Sequence, residues 1–233
     1  MGRKRPGRIG LAAAAALLLG ACSSGGDGPD NTRADAVALV ADTGRNMREA
    51  GTLRLAGSGT DDEGRATTMD LCVTAEQNLT GTLRQDGDTV TLVRVGPSMY
   101  IKAAPGYWGL PGPDNPAYAR MEGKYVKVPV TESDRNNFWN VRDLGKLFDG
   151  RTDDVTRGPA ETIDGTRVVP LTRTTDTGGT VSVYVPARGT PYVVLVRTRD
   201  GAETSDLRVR RTDDPCAPAE PPAGEVVLAE DVG

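Results

Sequence analysis

The sequence predicts an α+β domain in which most of the chain forms antiparallel β-sheet. Only 37% of its 233 residues are hydrophobic, and it contains 29 glycines and 16 prolines, which suits short strands and turns better than a helical bundle. Strand candidates recur between turn residues, and about 9–11 strands are expected. Two other segments space their apolar residues as helices do. We therefore expect a single domain that combines a large antiparallel sheet with two or three helices.

The N-terminus has the three parts of a bacterial secretory signal. Its apolar run, residues 9–19, is shorter than the roughly 20 residues that a membrane-spanning helix needs. The run ends in Leu19-Gly20-Ala21-Cys22, which resembles a lipobox, in which the cysteine is alkylated before cleavage. We expect a signal peptide over residues 1–21 and a lipidated Cys22. The alternative is an ordinary signal followed by an incidental cysteine. The positive charges before the apolar run are Arg3, Lys4, Arg5 and Arg8.

A lipidated N-terminus predicts a protein anchored to the extracytoplasmic face of the cell membrane. Two or three fatty acyl chains, such as palmitate, are enough for stable anchoring by a diacylglycerol-modified cysteine. Residues 22–31 are too poor in apolar groups to pack and predict a flexible tether. The predicted domain spans residues 32–213, and a Pro-rich tail spans 214–233. Without the signal, 24 Lys and Arg face 32 Asp and Glu, a net charge of about −8 that disfavours nucleic acid as a partner.

Two cysteines remain after lipidation, Cys72 and Cys216, an even number in an oxidising compartment. In the strand candidate MDLCVT, Cys72 shares a face with Asp70 and not with the apolar Leu71 and Val73. We therefore expect a disulfide that holds the tail against the outer face of the sheet. Two unpaired thiols are the alternative.

The first part of the predicted domain begins with a helix over residues 32–50 that ends at Gly51. We expect Val37, Val40, Ala41 and Met47 near one face of this helix. An antiparallel meander follows because Asp- and Gly-rich turns separate the strand candidates. These candidates are residues 52–57, 66–74, 79–85, 89–95 and 98–102.

The middle and end of the chain predict a long connection, a second helix and a second meander. Residues 103–119 combine Gly and Pro with large aromatic side chains, as functional loops often do. After a strand at 124–130, the segment from Thr131 to Phe148 has the spacing of an amphipathic helix that ends at Gly150. Residues 192–196 are apolar on both faces, which predicts a strand covered on both sides. The strands of this second meander are residues 160–163, 166–172, 180–185, 192–199 and 205–211.

The sequence offers little catalytic chemistry. It contains no histidine, which excludes Ser-His-Asp and Cys-His sites and histidine-ligated metals. No Ser-x-x-Lys spacing accompanies its lysines. Its paired aspartates lack the spacing of a calcium loop and read as solvated turns. We expect a protein that is not an enzyme and needs no metal or cofactor. The aspartate pairs are Asp61-Asp62, Asp153-Asp154 and Asp213-Asp214.

The apolar side chains of the loop, the second helix and the central strands predict a binding cavity. Together with a sheet, they could enclose a lipid or another apolar ligand. The alternative is that the aromatic side chains fill the core. The candidate pocket residues are Tyr100, Trp108, Leu110, Phe138, Trp139, Leu144, Val194 and Val196.

Four short segments resemble the LppX and LprG type of actinobacterial cell-envelope lipoproteins, which are similar in fold to the lipoprotein carrier LolA. These segments are VGPSMYIKAAPGYW (95–108), GKYVKVP (123–129), DGTRVVPL (164–171) and GTPYVV (189–194). The resemblance implies a half-barrel wrapped around helices, with an acyl-chain cavity between them. It also implies a function as a carrier or binder of a lipid or glycolipid. The alternative is an envelope adaptor or sensor that binds another protein and has a packed core.

Overall fold

The computed structural model describes residues 28–61, 63–109, 114–130 and 141–231. Within these ranges the chain forms one mostly antiparallel sheet with three α-helices, α1 (Ala36–Glu49), α2 (Pro116–Met121) and α3 (Leu144–Leu147). The strands are β1 (Leu53–Thr60), β2 (Ala66–Val73), β3 (Leu79–Gln85), β4 (Asp88–Val95), β5 (Ser98–Lys102), β6 (Tyr125–Pro129), β7 (Thr156–Arg157), β8 (Glu161–Ile163), β9 (Thr166–Thr174), β10 (Thr180–Pro186), β11 (Leu195–Asp200), β12 (Glu203–Arg211) and β13 (Val226–Leu228).

The sheet joins two meanders through its central strand β1. Its strand order is β13-β6-β5-β4-β3-β2-β1-β12-β11-β10-β9-β7, and β8 pairs with β9 outside this path. β1 pairs over its full length with β2 on one side and with β12 on the other. Every pair is antiparallel except β13 with β6. The two halves of the chain therefore form one continuous surface.

Helix α1 packs its buried stripe against one face of the sheet, which we call the inner face. The Asp35 side chain accepts a hydrogen bond from the Ala38 amide and caps the helix. Leu39, Val40 and Met47 are buried in the main hydrophobic core. Val37 and Ala41, which the sequence placed near the same face, are exposed, because the buried stripe runs through Leu39 and not through them.

The main core lies between the inner face and the helices, and a smaller cluster lies on the opposite, outer face. Strand side chains alternate between the two faces. The main core contains inner-face residues of β1–β5 and β9–β12 together with Leu144 and Phe148. The outer cluster consists of Val168, Tyr184 and Leu195, with Ile163 and Val194 packed against it.

The segment 192–196 does meet apolar partners on both faces, but it is not a regular strand throughout. Val193 and Val196 lie in the main core, whereas the consecutive residues Val194 and Leu195 both pack in the outer cluster. The Val194 amide donates to the Tyr184 carbonyl, and Leu195 also pairs with Tyr184. Two residues opposite one are a β-bulge, which re-aims side chains. Strand β11 therefore begins at Leu195, three residues later than the pattern predicted.

Both ends of the domain are more ordered than the sequence suggested. The expected tether reaches residue 31, but the Asn31 side chain is buried and donates to the carbonyls of Pro186 and Gly189. In the Pro-rich tail, β13 adds to the sheet edge beside β6. The signal peptide, Cys22, most of the tether and the start of the second predicted helix lie outside the described residues. None of the helices in the described ranges is long and apolar enough to span a bilayer.

The structure contains the expected disulfide between Cys72 of β2 and Cys216 of the tail. The two residues are 144 positions apart in the chain. Cys72 alternates with the buried Leu71 and Val73 and so lies on the outer face beside Asp70. The bond ties the tail to the middle of the sheet.

Candidate functional site

The structure divides the predicted pocket residues between the two faces of the sheet. Leu144 and Val196 are buried in the main core, and Trp108 packs against it. Val194 lies on the outer face. The residues Leu110, Phe138 and Trp139 lie outside the described ranges.

Tyr100 is buried but does not belong to the main core. Its neighbours in β5, Met99 and Ile101, contact the main core, so Tyr100 lies on the outer face. There the Lys127 ammonium lies 5.5 Å from the centre of its ring. The described candidates therefore lie on both faces of the sheet. Of the aromatic side chains in the core-filling alternative, Phe148 is buried in the main core and Trp108 packs against it.

A groove of about 240 Å³ lies on the inner face, at the end of β1 away from α1. We call it the inner groove. Two registered rows of side chains cross it, because Gly57 pairs with Met69 and Leu207 while Gly59 pairs with Thr67 and Ser205. The inner-face residues that line it are Gly57, Gly59, Thr67, Met69, Thr198, Ser205 and Leu207.

The inner groove exists because its central strand carries glycines where its neighbours carry side chains. A Cβ at Gly57 would collide with the Asp206 carbonyl, and one at Gly59 would collide with the Thr204 carbonyl. The same holds for Gly81 of β3 against the Asp70 carbonyl. Glycines in such positions let a sheet bend sharply. The missing side chains leave the inner surface of this part of the sheet open.

The two rows differ in polarity. The row that contains Gly57 lies deeper, towards the core. It continues from Leu207 through Val196 and Val183 to Leu171, and all four residues are buried and apolar. The second row, which contains Gly59 and lies nearer the mouth of the groove, continues from Thr198 through Val181 to Arg173. The groove therefore has an apolar side towards the core and a more polar side towards its mouth, an arrangement that suits a ligand with an apolar body.

Arg173 is a buried cation on this inner face. Its side chain is 1% exposed and pairs with Asp149, whose own side chain is 70% exposed. Its Nε and Nη1 have no hydrogen-bond partner within the described ranges. Two strand spacings, about 10 Å, separate it from Thr198. No buried cation was predicted at Arg173, although this residue lies on the same face of its strand as the core residue Leu171.

Arg142 is a second buried arginine that the sequence analysis missed. Its Nη1 donates to the Met47 and Ala50 carbonyls at 3.0 and 2.6 Å, and its Nη2 donates to those of Gly51 and Thr74 at 2.5 and 3.2 Å. Burial lowers its pKa. It joins the end of α1 to the turn after β2. Nothing in its local pattern, VRDL, marked it as buried.

Outside the inner groove, the outer face carries ordered ion pairs. The Asp206 carboxylate accepts from Arg197 Nε at 3.0 and 3.3 Å, from Arg197 Nη2 at 2.8 Å and from Arg199 Nη2 at 2.5 Å. Arg197, and to a lesser extent Arg199, hold the pKa of Asp206 below its ordinary value. Within the described ranges no group of three His, Cys, Asp or Glu residues could hold a metal ion.

Comparisons with known proteins identify the fold. No protein-family model matches the chain, and no curated protein matches its sequence. The chain is similar to the crystal structure of LprF from Mycobacterium bovis, with 12% identity and a TM-score of 0.53, over 80% of this chain and 96% of that one. It is also similar to the Mycobacterium tuberculosis lipoprotein LppX, with 14% identity and a TM-score of 0.51, over 79% and 98%. The protein therefore has the fold of LprF and LppX, the fold that the sequence resemblance implied.

Proposed function

We propose that the protein is a membrane-anchored extracytoplasmic lipoprotein that binds a lipid or another apolar envelope molecule and does not catalyse a reaction. The observation that carries this proposal is the inner groove, an opening on the inner face of a sheet whose fold is that of LprF and LppX. The lipobox at Cys22 supplies the anchor. We further propose that the sheet curves as a half-barrel around its helices, with the bend at Gly57, Gly59 and Gly81.

The size and polarity of the inner groove support a ligand with one apolar chain. Its volume of about 240 Å³ is below the roughly 300–1,000 Å³ typical of pockets for drug-sized ligands. Apolar contact with Met69 and Leu207 would stabilise a chain by roughly 25 cal/mol per Å² of surface buried. Thr67, Thr198 and Ser205 supply hydroxyl groups for a polar head. We propose that the chain lies along the glycines and the head faces the threonines.

Two adjacent residues allow a matched test of the inner groove. Thr67 lies on the inner face and lines the groove, whereas Thr68 follows it on the outer face and is exposed. We would express the mature protein with Cys22→Ser, so that it carries no acyl group, and measure bound lipid by native mass spectrometry and solvent extraction. Thr67→Trp is expected to fill the groove and remove the bound lipid, while Thr68→Trp is expected to retain it.

Two results would count against this proposal. One is an empty protein after expression in a lipid-rich host and incubation with lipid extract, which the adaptor alternative with its packed core predicts. The other is equal lipid content in the Thr67→Trp and Thr68→Trp variants. Circular dichroism and thermal unfolding would show that both variants fold.

A further inference from the structure

A second cleft lies on the outer face of the sheet, on the other side from the inner groove. We call it the outer cleft, and its volume is about 390 Å³. Its apolar wall is formed by Ile163 of β8, Val168 of β9 and the bulge residues Val194 and Leu195. The end of β12, with Arg208 and Arg210, forms part of the opposite wall.

The bulge and the short hairpin β8–β9 together create the apolar wall. The bulge turns both Val194 and Leu195 to the outer face, where a regular strand would turn only one of them. Val168 and Leu195 are buried at the bottom, whereas Ile163 and Val194 are only half-buried. An apolar surface thus remains open to solvent beside a charged strand.

The charged side of the outer cleft has an excess of positive charge. Arg208 Nε donates to Asp164 Oδ2 at 2.8 Å. The Arg210 side chain makes no hydrogen bond or ion pair with any other residue in the described ranges. Asp164, Arg208 and Arg210 line the same cleft, and the hydrogen bond and charge of Arg208, with the charge of Arg210, lower the pKa of Asp164. Three arginines, Arg208, Arg210 and Arg211, therefore line the outer cleft together with one carboxylate, Asp164, on a mature chain whose net charge is about −8.

We propose that the outer cleft binds a single-chain anionic amphiphile, whose alkyl chain lies on Ile163 and Val194 and whose anionic head group is bound by Arg210 and Arg208. Guanidinium groups bind carboxylate and phosphate oxygens with charge-assisted hydrogen bonds. The alkyl chain covers the apolar wall that the bulge leaves exposed. This site lies on the opposite face from the inner groove and does not depend on the function proposed for that groove.

The test uses dodecyl phosphate as the probe, at concentrations below micelle formation, and the mature chain with Cys22→Ser. We expect the Arg208→Gln/Arg210→Gln variant to bind dodecyl phosphate at least tenfold more weakly by isothermal titration calorimetry. The matched control is Arg84→Gln/Arg120→Gln, which removes two exposed arginines elsewhere and is expected to change the dissociation constant less than twofold. Ile163→Glu places a carboxylate in the cleft and is expected to abolish binding. Asp164→Asn removes the carboxylate that pairs with Arg208 and is expected to tighten the binding of dodecyl phosphate.

Several results would overturn the proposal. If both arginine double variants bound dodecyl phosphate equally weakly, the loss of affinity would come from the net charge of the protein and not from the outer cleft. If dodecanol bound as tightly as dodecyl phosphate, the arginines would have no role in binding. If inorganic phosphate bound as tightly as dodecyl phosphate, the alkyl chain would have no role. Loss of binding in Thr67→Trp, with Arg208→Gln/Arg210→Gln unaffected, would place the amphiphile in the inner groove and leave the outer cleft without a ligand.

Discussion

At the scale of single residues, the buried arginine Arg142 connects parts of the chain that no strand pairing joins. Its guanidinium satisfies carbonyls at the end of α1 and in the turn after β2. Carbonyls at a helix end have no partner within the helix, and their partial negative charge favours a cation. One side chain from the segment before α3 thus fixes where α1 meets the sheet.

We expect Arg142→Met to lower the free energy of unfolding by about 3 kcal/mol, because the buried Ala50 carbonyl would lose its side-chain donor and the Met47 carbonyl would keep only the Ala50 amide. Arg142→Lys is not expected to restore stability, since one ammonium cannot reproduce the planar fork of the guanidinium. Urea titration followed by circular dichroism measures the change. The exposed Arg84→Met is the control, with a change within about 0.5 kcal/mol. A loss below 1 kcal/mol for Arg142→Met would contradict this role.

Asp206 gives the fold a dependence on pH. Its pKa is lowered by hydrogen bonds from Arg197 and Arg199, so the unfolded chain takes up the proton more readily than the folded one. The stability that this carboxylate contributes is therefore present above its unfolded pKa and is lost as the pH falls through its folded pKa. We expect Asp206→Asn to lower stability by about 2 kcal/mol at pH 7 and by much less at pH 2.

Denaturant titrations at both pH values test this expectation. Asp88→Asn, at the exposed carboxylate of the first residue of β4, serves as the control. If Asp206→Asn lowered the free energy of unfolding by the same amount at pH 2 as at pH 7, the contribution of Asp206 would come from side-chain packing and not from its charge.

At the scale of secondary-structure elements, the missing side chain of Gly57 shapes the inner groove. A Cβ there would meet the backbone of β12 at the Asp206 carbonyl and at the Leu207 Cα. We expect Gly57→Ala to destabilise the protein by roughly 2–4 kcal/mol, in the range of strongly disruptive substitutions. Gly51→Ala is the matched control, because a Cβ at Gly51 meets no atom within 4 Å. Thermal unfolding compares the two, and equal melting temperatures would show that the strand needs no glycine at 57.

The disulfide stabilises a connection between two distant elements. The chain-entropy model gives an upper value of about 5 kcal/mol for a loop of this length. We expect Cys72→Ser/Cys216→Ser to unfold at lower denaturant concentration and to lose the tail first under limited proteolysis, with cuts after residue 211. A reducing agent should leave this variant unchanged while it weakens the native protein. Unchanged resistance of the tail would mean that β13 holds it without the bond.

At the scale of the whole molecule, the proposed lipid anchor at Cys22 would hold the inner groove and the outer cleft at the membrane surface. We expect the native protein to fractionate with membranes and its purified N-terminus to be an acylated Cys22, measured by mass spectrometry. Cys22→Ser is expected to abolish acylation and, in the chain released from its signal, membrane association. A native protein that is released without detergent or protease, or that begins at another residue, would remove the lipobox interpretation.

The sequence alone predicted most elements of the fold because their signals are local. Turn residues and the alternation of apolar and polar side chains predicted β3 and β5 with their observed bounds. They predicted the bounds of most other strands to within a few residues. The parity of Cys72 with Asp70 predicted its place on the outer face. The resemblance also implied the correct fold, although its motifs are short.

The two proposed binding surfaces depend on contacts between distant parts of the chain, and only the tertiary structure decided these contacts. The inner groove needs Gly57 of β1 to lie between Met69 of β2 and Leu207 of β12, which is a matter of register. The outer cleft needs a bulge that turns Val194 and Leu195 the same way, where simple alternation separates them. Hydrophobic periodicity reports which face a residue prefers, but it carries no information about which strand lies beside it. That pairing is set by packing across the whole sheet.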